Sequence, residues 1–403
     1  TICALMNLYK KIYRIIGIII LIIGLLVMPF LTKLVNGSYP SDINIYILYF
    51  LYLFNTVMTY FLFAYKSSLL TADQRIDIIS NVNSIVSIIL YVVQIIILLA
   101  LKNYYIYVIS IGISNILNNI VISKIVDNRY SEYICKGTVS KEQKKDIKKR
   151  VYGLMIQKIC TTTRNALDSI FLSAFLGLNI VAIYSNYYTI MSVVVGILGI
   201  ITTSMIASIG NSVATSNVQK NYNDMNKFNF IYMWISGFCT VCLLCLIQPF
   251  MKVWMGENYM FPLSTVICFS IYFYLLKMGD IRAAYVEATG IWYESRHRAL
   301  LETILNIILN YFLGKYFGVN GIIIATLISL LLINFIYGST IIFKYYFKNI
   351  SAFDYFKRHL YYLIVTMIAC LVTYEMCALI SIEGVVGLII KGILCIIVSN
   401  IIF

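Results

Sequence analysis

The segment "QKICTTTRNALDSIF" (157–171) places Lys158, Arg164 and Asp168 within a run, 151–176, that is otherwise apolar enough for lipid. At 100° per residue, Gln157, Lys158, Thr161, Arg164, Asn165 and Asp168 fall within about a 120° sector of a helix. A charge near the bilayer centre costs at least about 2.5–3.5 kcal/mol, so this face must look onto protein or water. Arg164 and Asp168 stand four apart and can pair, whereas Lys158 has no acid one turn away. Other apolar runs carry polar groups in the same way: Lys277 and Asp280, then Arg282 and Glu287; Asn115, Asn118 and Asn119; Asn186 and Asn211. A basic excess facing a hydrated internal cavity suits an anionic passenger. Asp168 and Asp280 would hold the unloaded cations in place or bind a coupling cation.

The elements that must position these groups are transmembrane helices. The 403 residues are 61% hydrophobic and 12% charged, against roughly 45–50% and about 25% in soluble domains. Apolar runs long enough to span a bilayer recur near 12–35, 43–65, 81–101, 104–124, 151–176, 179–205, 229–250, 261–284, 299–317, 319–343, 360–380 and 384–403. The fold class is therefore all-α, a polytopic membrane protein with twelve visible spans. With the N-terminus in the cytoplasm, most of the 31 Lys and Arg fall on the cytoplasmic side, and the outward segments keep only Lys33, Lys102, Lys252 and Lys315. The net charge of +14 is then mostly topology, concentrated around "KEQKKDIKKR" (141–150), with anionic phospholipid as its partner at the cytoplasmic loops. Nothing around that run resembles a nucleic-acid-binding module. The ten cysteines, including Cys239, Cys242 and Cys245 on one apolar span, read as small packing residues, with no metal site expected.

An internal repeat sets the organisation. "MPFLTKLVNGSYP" (28–40) and "QPFMKVWMGENYMFP" (248–262) both follow Pro-Phe at a helix end with a Lys, a Gly, a Tyr and a second Pro. Arg75 stands eight residues before Asn83, and Arg298 eight before Asn306. Both echoes lie about six spans apart, which predicts two six-helix bundles related by a parallel repeat. By that symmetry two helices precede Thr1, for a probable fourteen in all. The expected domains are 1–145 (N-terminal bundle and basic linker), 146–347 (C-terminal six-helix bundle) and 348–403 (a trailing helix pair).

An enzyme finds little support in this pattern. His297 and His359 both lie on the expected cytoplasmic side, away from any acid cluster, and no nucleophile–base pair, metal-ligand set or phosphate loop is present in the sequence. No cofactor is implied. A membrane glycan polymerase or glycosyltransferase would need a sizeable outward loop, and every expected outward loop is short.

The residues resemble the Wzx-type polysaccharide flippases of the multidrug/oligosaccharidyl-lipid/polysaccharide exporter superfamily. The resemblance is carried by "NALDSIFLSAFLGLNIVAIYSNYYTI", "SMIASIGNSVAT" and "EATGIWYESRHRALLETILNIILNYFLGKYFGVNGIIIATLIS", with "SLLTADQRIDIISNVNSIV" as a weaker fourth piece. It implies translocation of undecaprenyl-diphosphate-linked oligosaccharide across a bacterial cell membrane by alternating access of two bundles. It also implies a glycan polymerase and glycosyltransferases of the same pathway as partners. For such a passenger Lys158 and Arg164 are the first candidates to contact phosphate, with Lys277 second and Asn165 beside them. Arg75 and Arg298, near helix starts, could meet phosphate on the way in. A drug or metabolite antiporter of the same superfamily is the alternative; it would be expected to depend on an acid that binds a cationic substrate.

Overall fold

The computed structural model describes residues 2–34, 43–73, 75–133 and 135–403; the side chains of residues 33, 34, 146, 148–150, 153, 154, 157, 164, 165 and 207 stand outside that description. The described residues are helical with no strand. The chain divides into two compact units, one reaching Ile147 and the other running from Lys148 to Phe403.

The first unit comprises α1 (Ile2–Val27), the short α2 (Leu31–Leu34), α3 (Ile45–Phe61), α4 (Ser67–Ala72), α5 (Ile76–Ile96) and α6 (Tyr104–Arg129). Asn44 and Asn103 start α3 and α6 by accepting the backbone N–H groups two and three residues on. α1 lies close along α3 because it presents Gly17 and Gly24: a Cβ on Gly17 would meet Phe61 at 2.7 Å, and one on Gly24 would run into Leu53. Tyr49 Oη donates to the Gly24 carbonyl (2.9 Å) and Asn55 Nδ2 to the Val108 carbonyl (3.2 Å), so polar side chains tie the helices where lipid offers no partner. Of the expected asparagine cluster, Asn118 donates to Asn83 (2.7 Å), joining α5 to α6.

The second unit holds most of α7 (Lys141–Leu176), then α8 (Leu178–Thr215), α9 (Val218–Trp254), α10 (Leu263–Lys277), α11 (Asp280–Thr289), α12 (Arg296–Ser329), a π-helical stretch (Leu330–Tyr337), α13 (Gly338–Tyr345), α14 (Ala352–Ala378) and α15 (Gly384–Ile402). α9 is central, packing against α8, α10, α14 and α15. Its interior and surface are inverted relative to a water-soluble protein. Asn221, Ser236, Asn306, Asn310, Thr326 and Ser399 are fully buried, while Ile200, Leu371 and Ile401 lie open. Lipid is the solvent that makes this arrangement stable, since apolar side chains need no cover there and polar ones must find partners inside.

Among the described residues nine helices are long and apolar enough to cross a membrane, ten if the bent pair Ile45–Phe61 and Ala64–Ala72 forms one span. The chain is a multi-pass membrane protein. Two features separate the count of ten from the twelve expected spans. α7 is not among the nine, because its first turns are basic and its polar sector dilutes the rest. The stretch Arg296–Tyr345 enters the count once at 50 residues, which would be about 75 Å as one straight helix against a hydrocarbon core of about 30 Å. It is not straight. Gly318 takes φ 57°, ψ −132°, and Asn306 on one side of it bonds Thr326 on the other. The stretch is a hairpin of two antiparallel arms, 296–317 and 319–345.

Candidate functional site

The polar groups of the second unit gather in three adjoining clusters. The first surrounds Asp168, which α7 carries into the interior, 3% exposed. Its carboxylate accepts from Asn310 Nδ2 (3.0 Å) and from Thr326 Oγ1 (3.2 Å to Oδ2), one residue from each arm of the α12 hairpin. Asn306 completes the set by donating to Thr326 Oγ1 (3.0 Å) and accepting from Asn310 (3.1 Å). The Asn310 Oδ1, also buried, has no hydrogen-bond partner. A buried carboxylate with a hydroxyl and two amides beside it offers oxygens of the kind a hard cation or a proton takes.

The second cluster lies where the chain breaks between α10 and α11. Met278 and Gly279 separate Lys277 from Asp280, and the two side chains close across the break at 2.8 Å. Tyr232 of α9 donates to the same carboxylate oxygen at 2.6 Å. Lys277 is 4% exposed, so its charge is held inside the helices. One turn before Tyr232, Asn229 is buried with neither side-chain atom bonded, a polar group in the interior that lacks a protein partner.

The third cluster is a relay of hydrogen bonds that ends in an ion pair. Arg282 of α11 donates to the Asn334 carbonyl (2.7 Å) and to its Oδ1 (2.9 Å). Asn334 reaches toward Glu302 (3.5 Å), and Glu302 pairs with Arg298 one turn earlier (2.8 Å). Asn334 belongs to the π-helical stretch, whose wider turn is a common device at functional positions. Gly338, just beyond, is required sterically: any Cβ there would strike Arg282, and Arg298 Cδ stands at 2.9 Å.

Of the residues singled out from sequence, the structure brings Asp168 and Lys277–Asp280 into this buried interior and ties Arg298 to Glu302. Lys158 is exposed on α7. Arg75 lies at the start of α5, exposed, with Nε 2.9 Å from Asp77, which holds its guanidinium firmly protonated. The side chains of Arg164, Asn165 and Gln157 lie outside the described residues, so the pairing expected between Arg164 and Asp168 has no described geometry. Asn211 lines a separate polar cavity of about 270 Å³ at the turn from α8 to α9, with Ser212, Thr215, Lys220 and Asp224.

Sequence reasoning missed Glu302, Asn310, Thr326, Asn334 and Tyr232. A signal for part of this set was present. Arg298, Glu302, Asn306 and Asn310 recur every four residues, one polar stripe down an apolar helix. Thr326 and Asn334 carried no such signal, because only the hairpin returns them to that stripe.

Long lipid-facing helices with charged groups enclosed among them make a fold shared with several solved membrane transporters. The lipid II flippase MurJ in an inward closed conformation is similar over 98% of this chain and 82% of its own, with a TM-score of 0.68 at 15% identity. A MATE transporter in complex with MaL6 is similar over 84% and 78% (TM-score 0.57, 14% identity). A MOP-superfamily transporter from Pyrococcus furiosus is similar over 84% of each chain (TM-score 0.54, 16% identity). No curated protein matches the sequence. The family model for polysaccharide biosynthesis proteins matches residues 5–206, half of the chain, and the protein belongs to that family.

Proposed function

We propose that this protein moves a lipid-linked oligosaccharide, carried on undecaprenyl diphosphate, from the cytoplasmic to the outer leaflet of a bacterial plasma membrane for cell-surface polysaccharide assembly. The observation that carries the proposal is membership of a polysaccharide biosynthesis family by a chain built from membrane-crossing helices. The likeness in fold to a protein described as a lipid II flippase supports the same passenger class. A diphosphate-sugar head needs cations, amides and hydroxyls in a hydrated space, while a polyprenyl tail can remain in lipid. Lys158, Arg164 and Lys277 are the proposed phosphate contacts, with Asn165 next to them. Arg75 and Arg298 are secondary in this proposal, since each is already held by an acid. Asp168 is the proposed coupling-cation or proton site, because its buried carboxylate is held by the Asn310 amide and the Thr326 hydroxyl, and Asp280 serves as the charge partner of Lys277.

The test is a proteoliposome assay with an undecaprenyl-diphosphate-linked oligosaccharide whose glycan is accessible to a membrane-impermeant glycosidase only after crossing. Wild-type protein should accelerate crossing well above protein-free vesicles. Lys158→Ala and Arg164→Ala should abolish the acceleration at normal reconstituted abundance. No acceleration by the wild type, together with uptake or extrusion of a lipophilic organic cation, would replace this proposal with the antiporter.

A further inference from the structure

From sequence, Cys239, Cys242 and Cys245 are packing residues of one apolar span. The structure separates them by face. Cys239 packs against the main core of the second unit. Cys245 faces instead the seam where α14 and α15 lie along α9, and there it meets Cys377, at the end of α14, and Cys395, in the middle of α15. The three Sγ atoms all lie within 4.8 Å of one another. Cys377 Sγ and Cys395 Sγ are 4.0 Å apart. Three sulfurs sharing one metal ion in a plane, with bonds of about 2.3 Å, would stand about 4.0 Å from each other. None of the three residues is more than 5% exposed.

The surroundings select the kind of ion. Val241 and Ala369 are the other buried members of the cluster, and Leu394, Ile402 and Cys242 border it. No carboxylate or imidazole among the described residues joins the three thiols as a ligand. An all-sulfur, dry, three-ligand set favours a soft ion over Mg²⁺, Ca²⁺ or Na⁺, and a monovalent ion carries the least charge into low dielectric. Lys391 stands four residues before Cys395 on the same face of α15, and its backbone carbonyl lies 3.9 Å from Cys377 Sγ. With two thiols ionised and one neutral, a monovalent ion leaves the site at −1, which the Lys391 ammonium balances.

We propose that Cys245, Cys377 and Cys395 form a binding site for a soft monovalent cation of the Cu(I) class. Binding forms three metal–sulfur bonds and releases two thiol protons to water, with no change of oxidation state. The ion would bind α14 and α15 to α9, fixing the last two helices on the rest of the unit.

The experiment titrates Cu(I) into the purified full chain in detergent, without oxygen and with a non-thiol reductant, against a chromophoric Cu(I) chelator. The wild type should withdraw one Cu(I) per chain from the chelator. Cys377→Ser and Cys395→Ser should each lose that equivalent, while Cys268→Ser, a change on α10 outside the cluster, should keep it. A second measurement needs no substitution: copper-edge X-ray absorption of the Cu(I)-loaded wild type should show an all-sulfur shell with bonds of about 2.3 Å. The proposal is overturned if the wild type takes up no Cu(I) in competition, if uptake persists with all three cysteines changed to serine, if the bound copper shows oxygen or nitrogen neighbours, or if Zn(II) displaces Cu(I) from the site.

Discussion

Replacing Glu302 with Gln tests whether the Arg298–Glu302 pair is a strut of the fold or part of the substrate path. Glu302 is 5% exposed and Arg298 9%, and their 2.8 Å bond lies beside a second guanidinium, since Arg282 and Arg298 both approach Gly338. Gln keeps the size and a carbonyl oxygen and removes only the negative charge. Breaking a buried ion pair in this way costs about 3–5 kcal/mol. Polar contacts inside membrane proteins are often weaker, so the lower figure of about 3 kcal/mol is the better expectation here. At about 2–4 °C per kcal/mol for a unit of this size, melting should fall by about 6–12 °C. All three tryptophans, Trp234, Trp254 and Trp292, belong to the second unit, so intrinsic fluorescence of the detergent-solubilised chain reports its unfolding directly. The control is Arg298→Gln with Glu302→Gln, which removes both charges and should recover part of the loss, because Arg298 is no longer stranded while Arg282 keeps its bonds to Asn334. Transport should return with stability in the double variant if Arg298 is a strut. A single variant melting within about 2 °C of the wild type, or a double variant as unstable as the single, would refute the charge-pair reasoning.

Asp168→Ala should abolish transport and lower stability by about 1.5–3 kcal/mol, since a buried charged acceptor that takes hydrogen bonds from Asn310 and Thr326 is lost; Asp168→Asn should keep most of the stability without transport, and full transport by Asp168→Asn would remove the acid from the mechanism. Gly318→Ala should cost about 1–3 kcal/mol, measured by the same melting assay, because a Cβ there has room beside Leu176 at 3.8 Å but the torsion suits only glycine. Lys252 bonds Glu383 in the connection between α14 and α15 (2.8 Å) and holds that carboxyl below its usual range. The stability it adds should be present above the unfolded carboxyl pKa of about 4.3 and be lost as pH falls through the lower folded value. Wild type and Glu383→Gln should therefore differ in melting at pH 7 and converge in strong acid, and a gap that persists there would assign the effect to something other than this charge.

What the sequence determined was the kind of solvent the protein meets. Apolar runs of spanning length, the skew of Lys and Arg along the chain and the scarcity of charge within the runs are local properties, and lipid imposes them on any helix that crosses it. The break after Phe317 was also legible, because a Gly in a long apolar pattern followed by a new periodic run marks a helix end. That Asp168 needed a polar neighbourhood inside the protein was legible too, since a charge on an apolar helix cannot face lipid. What decided the partners was the tertiary structure. Asp168 accepts from Asn310 and Thr326, 142 and 158 residues away. Arg282 finds Asn334, and Cys245 finds Cys377 and Cys395, only because hairpins return distant segments to one place. In lipid a buried polar atom must be satisfied by whichever helix packs against it. Helix packing is set by the whole set of small residues, hairpins and crossings, a property no stretch of sequence holds by itself.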